Sequence, residues 1–323
     1  MRILIVHNKN TNFASDSIYE FARAITREGD ECTLRVVGDT FDTKNVFRDC
    51  REYDCVVVSG GDDAISQMLY TLKDEDVRIC VFPSGITNVY FENLGCAAEP
   101  AAIARACRIG NTNRLDLGEI SWTDSKGKTY TEGFCLMAGT GYDADLMRAA
   151  APDISGKTMP YIKAALSSAE PHVQTFTIEV DGKTYTREGI ACMVANNGMT
   201  RGGINIAPDC VMNDGMLDVI MLKAHDTTEL IKPLFASIFD SEGLNKSRPH
   251  IEVFTGKDIT VTANETMPIQ VDGQFLGDEI VSYHAHVLEA VNNVVVDDMS
   301  YYSTSHTCAP LFSGTEEIPY PES

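Results

Sequence analysis

A turn in the first half of the chain has the composition of a phosphate-binding loop. An apolar run precedes Gly60-Gly61, and helix-like apolar spacing begins at Ile65. Glycine lacks a Cβ, so its backbone can approach a phosphate closely, and a helix start offers free N–H groups and a positive dipole end. The turn therefore predicts an anion site, although two acidic residues, Asp62 and Asp63, directly follow the glycines.

Three further segments carry turn residues beside predicted strands. Residues 82–95 contain Pro, Gly, Thr and Asn after a strand, and residues 194–222 contain Gly-Gly, Pro and Asn-Asp-Gly before another strand. In residues 270–275 a strand runs into Asp-Gly. Small polar groups at strand ends are typical of ligand-binding loops, because such loops leave backbone groups accessible.

The elements that would position these loops change in character along the chain. Strands are predicted at 2–6, 32–37, 54–59 and 77–82, separated by helical patterns such as 15–28 and 100–107. This alternation predicts a parallel sheet, whose ligands bind at the carboxyl ends of the strands. The loops at residues 7–12, 59–64 and 83–88 are therefore expected to meet.

From about residue 113 onward the pattern favours antiparallel strands. They are predicted at 114–120, 129–137, 174–180, 184–196, 217–222, 259–262, 267–272 and 280–291, with helices near 161–169 and 227–239. Short strands between turn residues indicate a β-sandwich. We predict an α/β nucleotide-binding domain at 1–118, a β-sandwich domain at 119–291, and a C-terminal tail at 292–323 that is a packed arm or partly disordered.

Composition excludes several classes of protein. The net charge of −21 over 323 residues makes the chain a poor nucleic-acid binder, and anionic lipid surfaces repel it. No apolar run approaches the ~20 residues of a membrane span, and no secretory signal pattern opens the chain. The ten cysteines form no C-x-x-C pair, which favours reduced, buried thiols. We expect a cytoplasmic protein with at most peripheral membrane contact.

Taken in order, these motifs resemble the catalytic family of diacylglycerol kinases and sphingosine kinases, including bacterial soluble lipid kinases. The family's Gly-Gly-Asp-Gly-Thr loop is similar to residues 60–64, and its Pro-x-Gly-Thr-x-Asn-Asp loop to residues 83–89. Its Gly-Phe-Asp-Ala and Gly-Lys…Tyr segments are similar to residues 141–144 and 156–161. Its Gly-Gly…Ala-Pro…Asp-Gly…Leu-Asp-Val segment is similar to residues 202–219.

The resemblance implies a fold and a reaction. The fold is an α/β nucleotide-binding domain of the NAD kinase/phosphofructokinase-like type, followed by a β-sandwich domain, with the active site between them. The reaction is transfer of the γ-phosphoryl group of ATP to a lipid hydroxyl with Mg²⁺. The implied catalytic residues are Asp62, Asp272 and Gln274. The implied nucleotide-binding residues are Asn8, Lys9, Gly60, Gly61, Asp63, Gly85, Thr87 and Asn88, and the implied metal ligand is Asp214.

The sequence departs from the family pattern near the predicted chemistry. The departing residues are Asp63, Ala64, Gln67, Ile86, Val89 and Gln274. Asp63 adds a Cβ and a charge where phosphates would pass. Gln274 stands where the family has Glu, and an amide is neither a general base nor a strong Mg²⁺ ligand. We expect all six residues to face the cleft.

Several alternatives stay open. Besides an active lipid kinase, the protein could be a non-catalytic relative that binds nucleotide or lipid, or a kinase for another small alcohol or a dinucleotide. Lys9 is either a phosphate contact or a solvated loop lysine, and Asp214 is either a cation ligand or part of a plain Asn-Asp-Gly turn. A monomer and a homodimer are both compatible with the sequence.

Overall fold

The computed structural model describes residues 1–9, 16–38, 40–85, 87–141, 144, 172–200, 204–223 and 250–303. The helices predicted near 161–169 and 227–239 lie outside these residues, as do the motif positions 142–143, 156–161 and 202–203. Among the helices in the described residues, none combines the length and apolarity needed to cross a membrane.

The first part of the chain alternates strands and helices around a parallel sheet, as predicted. Its strands are β1 (Arg2–Asn8), β2 (Glu31–Val37), β3 (Cys55–Gly60) and β4 (Arg78–Pro83). Its helices are α1 (Asp16–Ile25), α2 (Thr43–Val46), α3 (Asp62–Thr71), α4 (Val89–Leu94) and α5 (Pro100–Ile109), with a 3-10 turn at Cys50–Glu52. The strand order β2-β1-β3-β4 places the carboxyl ends of all four strands along one edge.

Burial explains why these segments form this sheet. All six residues of β3 are buried, as expected for a parallel strand covered by helices on both faces. In α1 the apolar residues Ile18, Phe21 and Ile25 recur at helical spacing, and all three are buried. Phe21 packs on Phe82 of β4 with ring centroids 5.0 Å apart, which fixes α1 against the sheet.

The second part of the chain is antiparallel, as predicted. Its first strands are β5 (Thr112–Thr123), β6 (Thr129–Phe134), β7 (Met137–Gly141), β8 (Gln174–Val180), β9 (Lys183–Gly189) and β10 (Ala191–Ala195). They are followed by β11 (Met199–Thr200), β12 (Ile204–Asn205), β13 (Leu217–Leu222), β14 (Ile251–Gly256), β15 (Asp258–Val271) and β16 (Gln274–Val295). In β8 buried and more exposed residues alternate strictly, so Phe176, Ile178 and Val180 enter a second core.

Strand boundaries differ from prediction at three places. The strands predicted at 259–262 and 267–272 form one strand, β15, whose pairing with β16 shifts register between Thr262 and Met267. The strand predicted at 184–196 is two strands, β9 and β10, and the strand predicted at 129–137 ends at Phe134. A register shift lets one strand continue past a break in the alternation of apolar and polar residues, and a tight reversal ends a strand where that alternation continues. The alternation alone predicts neither boundary.

Strand β16 joins the two halves. It pairs antiparallel with β15 and β5, and near its end Asn293 and Val294 pair parallel with Arg78 and Ile79 of β4. Val294 is buried in the core formed by the parallel sheet and its helices, which we call the first core, and Tyr302 packs there too. The predicted domain boundaries after residues 118 and 291 stay a prediction, while residues 292–295 continue the strand that connects both sheets.

Candidate active site

The predicted phosphate turn is a direct strand-to-helix transition. Gly60 ends β3, Gly61 is the N-cap of α3, and Asp62 is its first residue. A Cβ on Gly60 would lie 2.8 Å from the Ala64 Cβ, so only glycine lets the helix begin this close to the strand. Because no side chain caps α3, the N–H groups of its first turn are available to a ligand.

The second predicted loop packs directly on the first. A Cβ on Gly85 would lie 2.9 Å from the Gly61 nitrogen and would collide with the Gly61 Cα. The Asn88 side chain closes the loop: it accepts from Gly85 N at 2.9 Å and donates to Gly85 O at 3.0 Å. A Cβ on Gly85 would also lie 2.8 Å from the backbone carbonyl oxygen of Thr87. Gly61, Gly85, Thr87 and Asn88 therefore form one compact surface.

The two adjacent aspartates have different surroundings. Asp62 is buried, and its Oδ1 accepts from Tyr90 N at 3.0 Å, which ties the start of α3 to the start of α4. Asp63 is exposed, with its Oδ1 3.4 Å from the position of a Cβ on Gly61. A negative charge in the first turn of a helix is stabilised by the helix dipole. Asp63 is therefore tolerated in the fold, and it lies beside the glycines.

The predicted residues of the first loop lie at the end of β1. Asn8 is buried, and its side chain donates to Gly38 O at 3.5 Å. Its Cβ is 3.5 Å from the position of a Cβ on Gly60, so Asn8 lies next to the phosphate turn. Lys9 is exposed, its N–H donates to Val37 O at 2.9 Å, and its Cε lies 3.7 Å from the position of a Cβ on Gly38.

The predicted catalytic aspartate of the sandwich occupies a tight hairpin. Asp272 and Gly273 have φ values of +46° and +81°, the type I′ turn that an Asp-Gly pair favours. The Asp272 carboxylate accepts three backbone N–H groups, from Cys135 at 2.8 Å and from Leu136 and Met137 at 2.9 Å each. Burial raises the pKa of Asp272. Gln274, the next predicted residue, is exposed.

Cys135 marks the place where the two halves of the site meet. Its thiol is fully buried, and burial is the main reason that its pKa is raised, followed by the charges of Asp272 and Asp62. Because electrostatic influence of this kind requires proximity, both carboxylates lie near the same thiol. Asp272, and Asp62 at the start of α3, therefore both lie near Cys135, and we call this place the junction.

Asp214 belongs to a different surface. Its Oδ1 accepts from Met216 N at 3.0 Å, which is the side-chain bond of an Asn-Asp-Gly turn. Burial raises its pKa, and the charges of Asp218 and Asp116 add to the effect. Asp214 and Asp218 line a groove of ≈ 400 Å³ beside Thr255. A metal-binding role for Asp214 stays a prediction.

The expectation that all six departing residues face the cleft is wrong for two of them. Ala64 and Val89 are members of the first core, with 4% and 2% of their surface exposed. They lie on the packed faces of α3 and α4, so an apolar side chain there contributes to packing. Asp63, Gln67 and Gln274 are exposed, and Ile86 lies outside the described residues.

Two features of the site were missed in the sequence. His7, Ser59 and Ser84 form a buried hydrogen-bonded row beside the glycine loops, and the only signal in the sequence was that each serine directly precedes a glycine. Glu92 on α4 is exposed, and partial desolvation and the charge of Asp62 raise its pKa, so it is a further carboxylate near Asp62. Nothing in the spacing of Glu92 distinguishes it from a surface glutamate.

Two family models match consecutive parts of the chain. Residues 2–120 match the diacylglycerol kinase catalytic domain, and residues 137–295 match the YegS C-terminal NAD kinase beta sandwich-like domain. By these models the chain combines a diacylglycerol kinase catalytic domain with a YegS-type C-terminal domain. The predicted family is confirmed, and so is the predicted order of a catalytic domain followed by a β-sandwich.

Relatives of this family cover most of the chain. The diacylglycerol kinase of Bacillus subtilis (strain 168) is 26% identical over 246 residues, which span 73% of this chain and 77% of the relative. The crystal structure of a diacylglycerol kinase from Bacillus anthracis str. Sterne has a TM-score of 0.63 at 17% identity, covering 92% of this chain and 97% of that chain. Yeast NADH kinase complexed with NADH has a TM-score of 0.54 at 9% identity, covering 93% and 84%. At these identities, the structures show a shared fold, which confirms the predicted NAD kinase-like architecture.

Proposed function

We propose that the protein is an ATP-dependent kinase that transfers the γ-phosphoryl group to a lipid hydroxyl. The observation that carries this proposal is the backbone contact between Gly61 and Gly85, which joins two glycine loops into one surface at the start of α3. The match to the diacylglycerol kinase catalytic domain supports phosphoryl transfer, and the names of the chain's relatives supply the lipid acceptor.

The nucleotide phosphates would lie over this glycine surface. The uncapped first turn of α3 offers N–H donors, and the helix dipole favours an anion there. Asn88 keeps the second loop in the conformation that packs on Gly61. Lys9, exposed at the end of β1, is the cation that would reach the phosphates from the neighbouring strand.

The donor set at this edge fits Mg²⁺. Asp62 and Asp63 begin α3, and Mg²⁺ at kinase sites is held by one or two carboxylates together with substrate phosphates and water. Consistent with that mode, no group of three His, Cys, Asp or Glu side chains within the described ranges forms a metal cage of its own. Bound Mg²⁺ would offset the negative charge of the phosphoryl group.

Asp272 is the residue that we assign to the acceptor hydroxyl. A carboxylate has about four acceptor positions; three are taken by the backbone N–H groups of residues 135–137, and the Ser66 side chain approaches as a further donor. The lipid hydroxyl would take the place of Ser66 at the carboxylate and give its proton to Asp272 as the oxygen attacks the γ-phosphorus and the bond to ADP breaks. Because burial raises the pKa of Asp272, it is a better proton acceptor than an exposed aspartate.

The test is the formation of labelled phospholipid from γ-labelled ATP, Mg²⁺ and a panel of lipid alcohols that includes diacylglycerols and ceramides. We expect a labelled product with at least one lipid. Substituting Asp62→Ala should abolish it, because this change removes both the carboxylate and the tie to Tyr90. Absence of product with every lipid, beside an active relative as positive control, would refute the proposal.

A second candidate function is nucleotide binding without transfer. Two observations favour it: the Asp272 carboxylate is already engaged by three N–H donors, and Gln274 offers no charge beside it. Calorimetry with MgATP distinguishes the two candidates. Binding with no labelled product from any lipid would support the second, and turnover that Asp62→Ala abolishes would exclude it.

A further inference from the structure

A row of three polar side chains lies beside the glycine surface. His7 Nδ1 and Ser59 Oγ are 2.9 Å apart, and Ser59 Oγ and Ser84 Oγ are also 2.9 Å apart. Ser59 is fully buried, while His7 and Ser84 are 6% and 7% exposed. The row therefore runs through the protein interior from β1 to the loop after β4.

The register of the sheet explains the row. His7 is paired with Ser59 across β1 and β3, and Gly60 is paired with Pro83 across β3 and β4. Each serine thus comes directly before a glycine turn, Ser59 before Gly60 and Ser84 before Gly85. A chain of hydrogen bonds at this level links the three strand ends from which the loops emerge.

Burial makes Ser59 the critical member of the row. A buried polar group needs a hydrogen-bond partner, and Ser59 serves two such groups at once. Burial lowers the pKa of His7, so its neutral form is favoured in the folded protein. A neutral imidazole nitrogen and two hydroxyls can satisfy one another in either direction, so the row stays complete without charge.

The row acts on the same loops that would bind phosphate. Ser84 N donates to Gly60 O at 3.1 Å, and the next residue, Gly85, packs on Gly61. The family pattern has a threonine in each loop, whereas this chain has Ala64 and Ile86 there. Each loop therefore lacks the hydroxyl at that one position of the family pattern, and the hydroxyls of Ser59 and Ser84 lie next to both loops.

We infer that the row formed by His7, Ser59 and Ser84 is a positioning element that holds the two glycine loops together for nucleotide phosphates. This inference rests on the proposed function for its ligand, ATP. It assigns to Ser59 a role in phosphate binding without contact to the phosphate. The row preorganises the backbone, so the loops lose less conformational freedom when nucleotide binds.

The test compares two matched hydroxyl deletions by calorimetry with MgATP. Ser59→Ala should weaken ATP affinity about tenfold, because it leaves His7 and Ser84 buried without their shared partner. Ser282→Ala is the control: Ser282 also forms a hydroxyl pair, with Thr262 at 3.0 Å, but it lies in the sandwich. ATP affinity of that variant should stay within twofold of wild type.

A conservative pair at His7 separates positioning from general destabilisation. An asparagine amide can place a polar atom near the Nδ1 position, so His7→Asn should retain most of the ATP affinity. His7→Leu, which fills similar space without a polar group, should lose about as much affinity as Ser59→Ala. Equal affinity in wild type, Ser59→Ala and His7→Leu would overturn the inference.

Hydrogen exchange provides a readout that needs no nucleotide. In Ser59→Ala, the backbone amides of residues 60–64 and 84–90 should exchange faster together, whereas Ser282→Ala should leave both segments unchanged. If wild type does not bind ATP, the proposed function fails, yet coupled exchange would still support the row as a loop-positioning element. Unchanged exchange in both segments would overturn the row as a positioning element.

Discussion

Two hairpins of this protein use the same Asp-Gly pair in different surroundings. Asp181-Gly182 joins β8 to β9 with φ values of +48° and +78°, and Asp272-Gly273 joins β15 to β16 with +46° and +81°. In both turns the aspartate N–H donates to a neighbouring strand, to Asp258 O at 2.9 Å and to Met137 O at 2.8 Å respectively. In both, the carboxylate accepts backbone N–H groups from that same neighbour.

The hairpins differ in what surrounds the carboxylate. Asp181 is exposed and binds the N–H groups of Lys257 and Asp258, both at 3.0 Å. Asp272 is buried beside Cys135, at the junction with Asp62. Turn chemistry therefore sets the local conformation in both places, whereas the position in the fold decides which carboxylate can take part in chemistry.

Removing each carboxylate should separate the hairpins most clearly. Asp272→Ala leaves three buried N–H groups without an acceptor, and we expect it to lower the free energy of unfolding by about 3 kcal/mol or more. Asp181→Ala should lower it by less than about 1 kcal/mol, because water can replace the carboxylate at the surface. Urea denaturation measures both, and equal losses would contradict the difference in burial.

Restoring a carboxylate beside one hairpin tests the acceptor site. Gln274→Glu places a negative charge next to Asp272, and we expect kcat/KM for lipid phosphorylation to rise about tenfold, or ~1.4 kcal/mol. Lys183→Glu makes the corresponding change after Asp181-Gly182 and should leave the rate within twofold. A lower rate in Gln274→Glu would show that the amide is adapted to its surroundings.

Alanine at the second turn position should affect the two hairpins equally. Gly182→Ala and Gly273→Ala both force a Cβ into a left-handed conformation, which costs about 1–2 kcal/mol. Thermal or urea unfolding should give losses that agree within about 0.5 kcal/mol. A much larger loss of unfolding free energy in Gly273→Ala would mean that Gly273 contributes to stability through more than its turn conformation.

The smallest effect is a pH dependence of stability from Asp272. Its pKa is raised in the folded state by burial, so over a window above the ordinary value near 4 the folded protein holds a proton that the unfolded chain has released. Stability therefore falls as the pH rises through this window. The unfolding free energy of wild type minus that of Asp272→Asn should therefore decrease as the pH rises through this window. An increase would contradict a raised pKa of Asp272 in the folded protein.

The sequence predicts features that depend on local chemistry and misses those that depend on register. Gly60-Gly61 and Asp272-Gly273 were recognisable because each turn needs these residue types in consecutive positions. The contact between Gly61 and Gly85 depends on how β3 pairs with β4, and the row through Ser59 depends on how β1 pairs with β3. The spacing of residues along the sequence predicts neither of these strand pairings.

Helix orientation explains the wrong prediction for the departing residues. Val89 stands where the family has an acidic residue, yet it is buried in the first core at the start of α4. A motif fixes the order of side chains along a helix start, but the packing of the helix decides which side chain faces the ligand. For the same reason Glu92, one turn later, was not recognisable as a neighbour of Asp62.

The most direct test of the central claim is a single-turnover measurement with γ-labelled ATP, Mg²⁺ and the preferred lipid alcohol. Wild type and Asp181→Asn should transfer the label at the same rate within twofold. Asp272→Asn, shown by circular dichroism to be folded, should transfer it at least about 100-fold more slowly, as expected when a general base is lost. Transfer by Asp272→Asn at the wild-type rate would contradict the assignment of phosphoryl transfer to this junction.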